Sequence, residues 1–179
     1  MILQTELMKW KNGRGTTHQI YIYPKNASIT NFEWRISSAT FDTSGPFSLF
    51  NGYKRILVLL EGEEISLIHK NSKKKILKID EPYSFSGDLE TESEFKGKII
   101  DFNLIYKENY SISFEVLKIS FEKTIKPLGI FNFIFCSKGD LIFEEIGIIL
   151  KKHETYLFEK EIKLKSKMKE STIFIISIL

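Results

Sequence analysis

The feature of this sequence that most constrains its fold is an alternation of apolar and polar residues with a period of two, repeated along most of the chain. Successive side chains of a β-strand point to opposite faces, so this period is typical of strands. The segments that carry it are 19–23, 32–41, 53–60, 64–70, 74–79, 98–107, 112–121, 129–136, 141–150, 153–159, 161–168 and 171–179. No window carries the longer apolar stripe that predicts an amphipathic helix.

Turn-forming residues separate these segments, and the composition favours strands over helices. Pro24, Gly52, Gly62 and Gly139 each lie between two of the segments. The chain has 27 Ile and 15 Phe but 2 Ala, and β-branched and aromatic side chains suit a pleated surface whereas Ala is the best helix former. The pattern predicts an all-β sandwich or barrel of the jelly-roll kind, because closure or layering removes exposed strand edges.

The length of 179 residues fits a single compact unit, 1–179. Two β-rich halves, 1–108 and 109–179, are the alternative, since the alternation pauses near Tyr110 without a linker rich in Pro or Ser. The chain has one Cys, no signal-like apolar stretch near residue 1 and no apolar run of the roughly 20 residues that span a bilayer. We therefore expect a soluble cytoplasmic protein.

The arginines are rare and clustered. The chain has 23 Lys but 3 Arg, and Arg14, Arg35 and Arg55 all fall in its first third. Where Lys supplies most of the positive charge, an Arg indicates a place that needs the planar guanidinium, which donates two parallel hydrogen bonds to a carboxylate. Each arginine alone could equally be a structural residue paired with a neighbouring acid. The cluster favours a binding site without naming its ligand.

Two segments are predicted to pair a mixed polar face with an apolar one. Strand alternation places Arg35, Ser37 and Ala39 on one face of segment 32–41, with Trp34 on the other. In segment 98–107, Asp101 and Asn103 share a face, and Phe102, Leu104 and Tyr106 share the opposite one. Trp34 and Phe102 are expected to be core residues, and the polar groups beside them are expected to lie outside the core. A few polar groups inside an apolar barrel are typical of a small-molecule site. The alternative is an ordinary amphipathic strand with a solvated polar side.

A glycine-rich segment, 10–17, precedes the first predicted strand. Its glycines could turn backbone N–H groups toward an anion, with Lys11, Asn12 and Thr17 beside them. The alternative is a tight loop covered by Trp10. Neither a dinucleotide fingerprint nor a P-loop is present, because His18 stands at the third glycine position and no Lys follows the second glycine.

The ionisable residues do not form a familiar metal or nucleophile motif. His18, His69 and His153 are far apart, and no His-x-His pair exists. Cys136 lies in an apolar run and is expected to be a small buried hydrophobe. No Gly-x-Ser-x-Gly elbow is present. We therefore expect neither a metal nor another cofactor.

Basic runs raise the possibility of nucleic-acid binding. Lysines alternate along 163–169, and Lys73, Lys74 and Lys75 form a second run. The net charge of +3 is modest, however, and no aromatic stacking platform accompanies the lysines. An edge strand protected from aggregation by Lys is the preferred interpretation of 163–169.

Several short blocks within residues 8–106 resemble the HutD/Ves family. They are Trp10-Lys11-Asn12-Gly13-x-Gly15-x-Thr17, Phe32-x-Trp34-Arg35-Ile36-Ser37, Gly45-Pro46-Phe47-Ser48, Tyr53-x-Arg55, Leu60-Glu61-Gly62, Phe85-x-Gly87-Asp88 and Asp101-Phe102-Asn103. The resemblance implies a cupin-like jelly-roll barrel of the RmlC-like type, either single or as a compact bicupin. It also implies a role linked to histidine utilisation in one branch of the family and to stress or cold response in the other. No block of the family is evident beyond Tyr110.

Together these features predict a cupin that binds a small anionic metabolite through a carboxylate group, with a regulatory role and without catalysis. Arg35, Ser37 and Asn103 are expected to approach one cavity, with Arg55 or Lys11 and the glycine-rich segment near its mouth. Asp101 is expected to pair with Arg35 when the site is empty. The full set of candidate ligand-binding residues is Arg35, Ser37, Asn103, Asp101, Arg55, Lys11, Asn12 and Thr17.

Two other functions stay open. The first is a metal-free cupin enzyme of the isomerase or hydrolase type, with Asp101 or His18 as proton carrier. The second is an interaction protein whose barrel offers a sheet for pairing. Neither a nucleic-acid nor a membrane partner is expected, and the chain is expected to be a monomer or a homodimer.

Overall fold

The computed structural model describes residues 1–71 and 74–179, and within them the protein is built almost wholly from antiparallel strands. The strands are β1 (Glu6–Lys9), β2 (Gly15–Tyr23), β3 (Trp34–Phe41), β4 (Gly45–Pro46), β5 (Tyr53–Glu61), β6 (Ile65–His69), β7 (Lys75–Leu77), β8 (Pro82–Ser86), β9 (Thr91–Phe95), β10 (Ile99–Lys107), β11 (Ile112–Ile119), β12 (Glu122–Ile125), β13 (Phe131–Lys138), β14 (Leu141–Phe143), β15 (Ile148–Leu150), β16 (Thr155–Phe158), β17 (Ile162–Ser166) and β18 (Ser171–Ile178). A short 3₁₀ helix, Glu144–Ile146, joins β14 to β15. The all-β prediction is confirmed. In the described ranges no helix is long and apolar enough to cross a membrane.

The strands form two compact units. The N-terminal unit comprises Thr5–Asn109, and the C-terminal unit comprises Met1–Gln4 with Tyr110–Leu179. The first four residues belong to the C-terminal unit because Leu3 donates its backbone N–H to Thr155 and Ile2 forms a β-bridge with Tyr156.

The N-terminal unit has two antiparallel sheets around an apolar core. Its six-stranded sheet has the order β1-β2-β3-β10-β5-β8, and its four-stranded sheet has the order β4-β9-β6-β7. Leu57 and Leu59 of β5 pack in one cluster with Ile65 and Leu67 of β6. These four side chains are fully buried, so the core lies between the two sheets.

The C-terminal unit repeats this arrangement with different strands. Its sheets have the orders β11-β18-β13-β16 and β12-β17-β14-β15. Its apolar cluster includes Ile134, Leu141, Leu164 and Cys136. Burial raises the pKa of the Cys136 thiol to about 12, so this cysteine is a protonated core residue, as its apolar run predicts.

Several strand boundaries differ from those that the sequence predicts. The alternation misses β1, β8, β9 and β12, which are short and whose residues are largely polar. Segment 141–150 is interrupted by the 3₁₀ helix, and Gly147 ends that helix with a φ of 64°, a conformation that glycine adopts without strain. Short polar strands depend on their neighbours in the sheet, which the local pattern does not contain.

The lysine-rich segment is not an edge strand, so that interpretation is wrong. β17 pairs with β12 on one side and with β14 on the other. Lys163 forms an ion pair with Glu122 at 2.8 Å, and Lys165 lies 3.6 Å from Glu144. Acidic neighbours on the adjoining strand and helix therefore account for these lysines. Of the second basic run, Lys73 lies outside the described residues.

The face that Trp34 shares with Phe102 is core, as predicted. Both side chains are 0% exposed, and the Trp34 ring stacks on Tyr21 and Tyr23 at centroid distances of 5.1 and 5.4 Å. The expectation that the polar residues beside them lie outside the core is wrong, because Arg35 and its polar neighbours on the opposite face are buried too. The face of β3 and β10 that carries Arg35 lies on the interior side of the N-terminal unit. Both faces of these two strands are therefore largely buried.

Replacing Trp34 by Ala should lower the free energy of unfolding by about 3–5 kcal/mol, because the loss of a fully buried indole leaves a cavity. Phe121→Ala is the matched control: Phe121 is 81% exposed, so its loss should change stability by less than about 0.5 kcal/mol. Urea unfolding followed by circular dichroism measures both. Equal stabilities of the two variants would show that Trp34 is not core.

Candidate functional site

The interior face of the six-stranded sheet is organised in three rows that run across its strands. Residues directly opposite each other in antiparallel strands point to the same face. The arginine row contains Ile22, Arg35, Ile105, Arg55 and Phe85; the asparagine row contains Gln19, Ser37, Asn103, Leu57 and Tyr83; the aspartate row contains Thr17, Ala39, Asp101 and Leu59. The structure therefore brings six of the eight predicted site residues onto one face.

Solvent reaches this interior face. Ala39 and Asn103 lie on central strands of the sheet and are partly exposed. Their neighbours along the chain that point to the opposite face, Ser38 and Phe102, are buried. Leu104 is buried as well, so the exposure of Asn103 comes from the interior side, whereas Thr40 beside Ala39 is itself partly exposed. We call the interior face of the six-stranded sheet along the three rows, together with the side chains packed on it, the chamber.

Arg55 is the most deeply buried cation of the chamber. Its guanidinium carbon lies 5.0, 5.8 and 5.2 Å from the ring centroids of Phe47, Phe50 and Phe85. One terminal nitrogen, Nη1, donates to the carbonyl of Ser48 at 3.3 Å, whereas the buried Nε finds no hydrogen-bond partner among the described residues. The side chain is thus held by aromatic rings and has an unused donor.

Burial sets the protonation of both charged groups here. It lowers the pKa of Arg55 to about 10, with the charge of Asp101 acting in the opposite direction. It raises the pKa of Asp101 to about 7, although the N–H of Ala39 donates to its Oδ1 at 3.0 Å and Arg55 favours its ionised form. Two expectations are corrected. Arg55 is buried rather than placed at an exposed mouth, and the cation whose charge acts on Asp101 is Arg55 rather than Arg35.

Arg35 lies two strands from Arg55 in the arginine row and has its own partners. Its Nε donates to Oε1 of Gln19 at 2.9 Å, and its Nη2 makes a weak contact with Sδ of Met8 at 3.7 Å. Burial lowers its pKa, and the charge of Glu6 opposes that shift. Gln19, which separates Arg35 from Glu6, therefore orients this guanidinium by accepting a charge-assisted hydrogen bond at its neutral amide.

Asn103 carries a second unused polar atom. Its Oδ1 is buried and accepts no hydrogen bond from any residue that the structure describes. Asn103 lies directly opposite Ser37 and Leu57, in the row next to the arginine row. A buried polar atom without a partner costs roughly 1–3 kcal/mol, so Asn103 Oδ1 is an acceptor available for a further hydrogen bond.

The glycine-rich segment is a β-hairpin turn. Trp10 and Gly15 close the turn through a backbone hydrogen bond of 3.0 Å, and the Trp10 indole donates to the Thr17 hydroxyl at 2.8 Å. Lys11 and Asn12 are exposed in this turn, outside the three rows, so the structure does not bring them to the chamber. A Cβ on Gly15 would lie 2.9 Å from the Trp10 ring, which explains the glycine by packing rather than by anion binding.

The sequence did not single out three polar residues of the chamber. His69, Thr91 and Tyr83 form one hydrogen-bonded group, with the His69 ring 2.8 Å from the Thr91 hydroxyl and 3.1 Å from the Tyr83 hydroxyl. Period-two alternation with Ile65 and Leu67 could have placed His69 inside. His18, the histidine considered as a proton carrier, is instead exposed and contacts Thr5.

The described residues contain no cluster of three or more His, Cys, Asp or Glu side chains that could hold a metal ion. A surface groove of about 450 Å³ borders Phe47 and Thr91 from outside the three rows. The remainder of its lining is Pro46, Leu49, Ile68, Lys70, Glu90 and Glu92. Since the buried Arg55 Nε and Asn103 Oδ1 lie in the chamber and neither residue lines this groove, the chamber is the stronger candidate site.

The fold is that of a cupin-type protein. A cupin 2 conserved barrel domain protein from Leptotrichia buccalis has a similar structure, with a TM-score of 0.60 over 96% of this chain and 92% of that one at 11% identity. A conserved protein of unknown function from Pseudomonas aeruginosa PAO1 is more similar, with a TM-score of 0.87 at 25% identity over 99% of this chain and 97% of its own.

The HutD family model matches residues 4–175, and the chain belongs to the HutD family. The relatives include an uncharacterised 21.2 kDa protein in the hutC 3′ region of Pseudomonas putida, 37% identical over 55% of this chain and 52% of that protein. Protein Ves of Escherichia fergusonii is 36% identical over 56% of this chain and 52% of its own length. The chain thus spans about half the length of the curated relatives it matches. The resemblance to HutD/Ves is confirmed, and the family match extends well beyond Tyr110.

Asp101 should make stability depend on pH. Its pKa rises from 3.8 to about 7 on folding, so the folded chain retains a proton that the unfolded chain has lost, and the free energy of unfolding falls between these values as pH rises. Asp101→Asn should remove this dependence, so that the variant gains up to about 4 kcal/mol relative to the wild type between pH 4 and pH 8. Urea unfolding at several pH values measures the difference.

The control is Asp42→Asn, which changes an exposed carboxylate of the same unit and should follow the wild-type pH profile. A stability difference between Asp101→Asn and the wild type that stays constant from pH 4 to pH 8 would contradict the raised pKa.

Proposed function

We propose that the protein binds a small anionic metabolite through a carboxylate group in the chamber of its N-terminal unit, and that binding serves a regulatory role. The observation that carries this proposal is the buried guanidinium of Arg55, whose Nε lacks a hydrogen-bond partner among the described residues. A carboxylate accepts two parallel hydrogen bonds from a guanidinium, so it satisfies both Nε and one terminal nitrogen at once.

The charge of the chamber supports an anionic ligand. Arg35 and Arg55 lie on either side of Ile105 in one row, so about 10 Å separates their backbones at the usual spacing of 4.7–4.9 Å between strands. The acid coupled to Arg55 is Asp101, and its raised pKa leaves it partly protonated near neutrality. The positive charges of Arg35 and Arg55 are therefore only partly balanced by Asp101, and a bound carboxylate would supply the missing negative charge.

The neighbouring row would orient the ligand. Ser37 lies on β3 two residues from Arg35, and Asn103 lies on β10 two residues from Ile105. Their hydroxyl and amide groups can donate to or accept from the part of the ligand beyond its carboxylate. The leucines Leu57 and Leu59, both fully buried, supply the apolar wall that keeps water from competing.

The relatives support a metabolic setting. One of them is encoded in a hutC 3′ region, which favours a role linked to histidine utilisation, and the match to protein Ves keeps the stress-linked branch of the family as the alternative setting. Binding of a metabolite from such a pathway would suit a regulatory role, because a ligand stabilises the conformation that it binds and so increases the population of that conformation.

A metal-free cupin enzyme is the second candidate. The pKa of about 7 for Asp101 favours it, because a general acid or base works best when its pKa lies near the working pH. In that function Arg55 would hold the substrate carboxylate while Asp101 moves a proton. Conversion of a bound carboxylate, followed by NMR, would separate this candidate from simple binding.

Propanoate binding tests the proposal. Propanoate should raise the melting temperature of the wild-type protein, and Arg55→Lys should weaken its binding by about tenfold or more, since a single ammonium cannot replace the guanidinium fork. Arg35→Lys should weaken binding less, because Gln19 already occupies its Nε. NMR titration gives the dissociation constants.

Arg14→Lys is the matched control, since Arg14 is exposed in the hairpin turn and its replacement should leave the propanoate affinity unchanged. Equal affinities of the wild type and Arg55→Lys would contradict the proposal, as would the failure of every small carboxylate to bind at millimolar concentration.

A further inference from the structure

The hydrogen-bonded group of His69, Thr91 and Tyr83 has a defined direction. The Thr91 hydroxyl donates its one proton to the carbonyl of Leu89 at 2.9 Å. Towards His69 Nδ1, 2.8 Å away, the same oxygen can therefore only accept, so Nδ1 carries a proton. Burial lowers the pKa of His69 and so favours the neutral ring, in which Nε2 is an acceptor when Nδ1 carries the proton.

The Tyr83 hydroxyl gives its proton to His69 as a result. Its oxygen lies 3.1 Å from the unprotonated Nε2, and Tyr83 has one proton to donate. What remains on the phenol oxygen is acceptor capacity. His69 thus acts as a positioning residue that fixes the hydroxyl rotor of Tyr83.

Tyr83 lies in the same row as Asn103. Leu57 of β5 is directly opposite both residues, which places them two strands apart on the interior face. Tyr83 is partly exposed and packs against the apolar cluster of the chamber. The Asn103 Oδ1 is a further acceptor of this row, and it is buried without a partner in the described structure.

We infer that Tyr83 is a specificity-determining residue, which selects carboxylates that carry a hydroxyl or N–H donor next to the carboxylate group. This inference rests on the proposed function, because the guanidinium of Arg55 supplies the carboxylate contact. The asparagine row, adjacent to Arg55, presents two acceptor oxygens and so favours a ligand with a donor. A ligand with an ether or other donor-free group there would leave both oxygens unsatisfied.

Glycolate and methoxyacetate are the matched probes, because they differ in whether the oxygen beside the carboxylate carries a proton or a methyl group. Wild-type protein should bind glycolate about tenfold more tightly than methoxyacetate. Tyr83→Phe should reduce this preference by about fivefold and leave the affinity for propanoate unchanged, since propanoate has no donor. NMR titration measures all three dissociation constants.

Tyr106→Phe is the control, because it removes another tyrosine hydroxyl from the same unit, on the opposite face of β10. It should keep the preference for glycolate. His69→Phe removes the acceptor for the Tyr83 proton while retaining an aromatic ring, so it should free that proton and shift the preference towards methoxyacetate. His69→Gln, whose carbonyl oxygen can accept the proton again, should restore the preference for glycolate.

A further measurement needs no ligand. Nitrogen-15 NMR of the folded wild-type protein should show His69 protonated at Nδ1 and not at Nε2. A ring protonated at Nε2 overturns the inference. Equal binding of glycolate and methoxyacetate by a protein that does bind propanoate overturns the inference and leaves the proposed function standing, whereas the absence of all carboxylate binding overturns both.

Discussion

The buried guanidinium of Arg55 is the constraint on which the arrangement of the N-terminal unit depends. A charge taken out of water is stable only when other groups replace the lost hydration. Three aromatic rings and the Ser48 carbonyl replace part of it, and the Asp101 carboxyl opposes the charge from within the same chamber. The replacement is incomplete, because Nε stays without a partner in the described structure. That deficit links the fold to the proposed binding of a carboxylate.

The central strand β10 joins the parts of this arrangement. It pairs with β3 and with β5, so Ile105 stands between the two arginines while Asp101 and Asn103 follow on the same face. Any shift of β10 by one residue would exchange its two faces and move these polar groups out of the chamber. The apolar side chains on the opposite face, such as Phe102, are fully buried and fix the register. Packing of apolar side chains on one face of β10 thereby fixes the positions of Asp101 and Asn103 on the other face.

Much of the fold and part of the site could be predicted from the sequence. A period of two fixes which side chains share a face, so the grouping of Arg35 with Ser37, and of Asp101 with Asn103, follows from local sequence alone. The all-β class follows from the same pattern. The resemblance to HutD/Ves, seen in blocks of the first 106 residues, is confirmed by a family match over 4–175.

The remaining features depend on contacts between distant segments. The burial of Arg55 depends on Phe47 and Phe50, which lie in an irregular segment whose course the alternation does not predict. A single His in an apolar strand is predicted to be a core residue. Which ring nitrogen of His69 donates and which accepts follows only from its contacts with Thr91 and Tyr83, which lie on other strands. The sequence placed Lys11 and Asn12 near the site because a glycine-rich segment can bind an anion. A glycine can equally be needed for close packing, as Gly15 is here against the Trp10 ring.

The most direct test of a carboxylate held by Arg55 is the nitrogen-15 NMR signal of its Nε–H. The chain has three arginines, so the arginine Nε–H region of the spectrum contains three signals that single Arg→Lys substitutions assign. On titration with propanoate, the Arg55 signal should shift most strongly, in proportion to occupancy, while that of the exposed Arg14 stays in place. A titration in which Arg55 does not move, or in which Arg14 alone responds, would contradict a carboxylate site in the chamber.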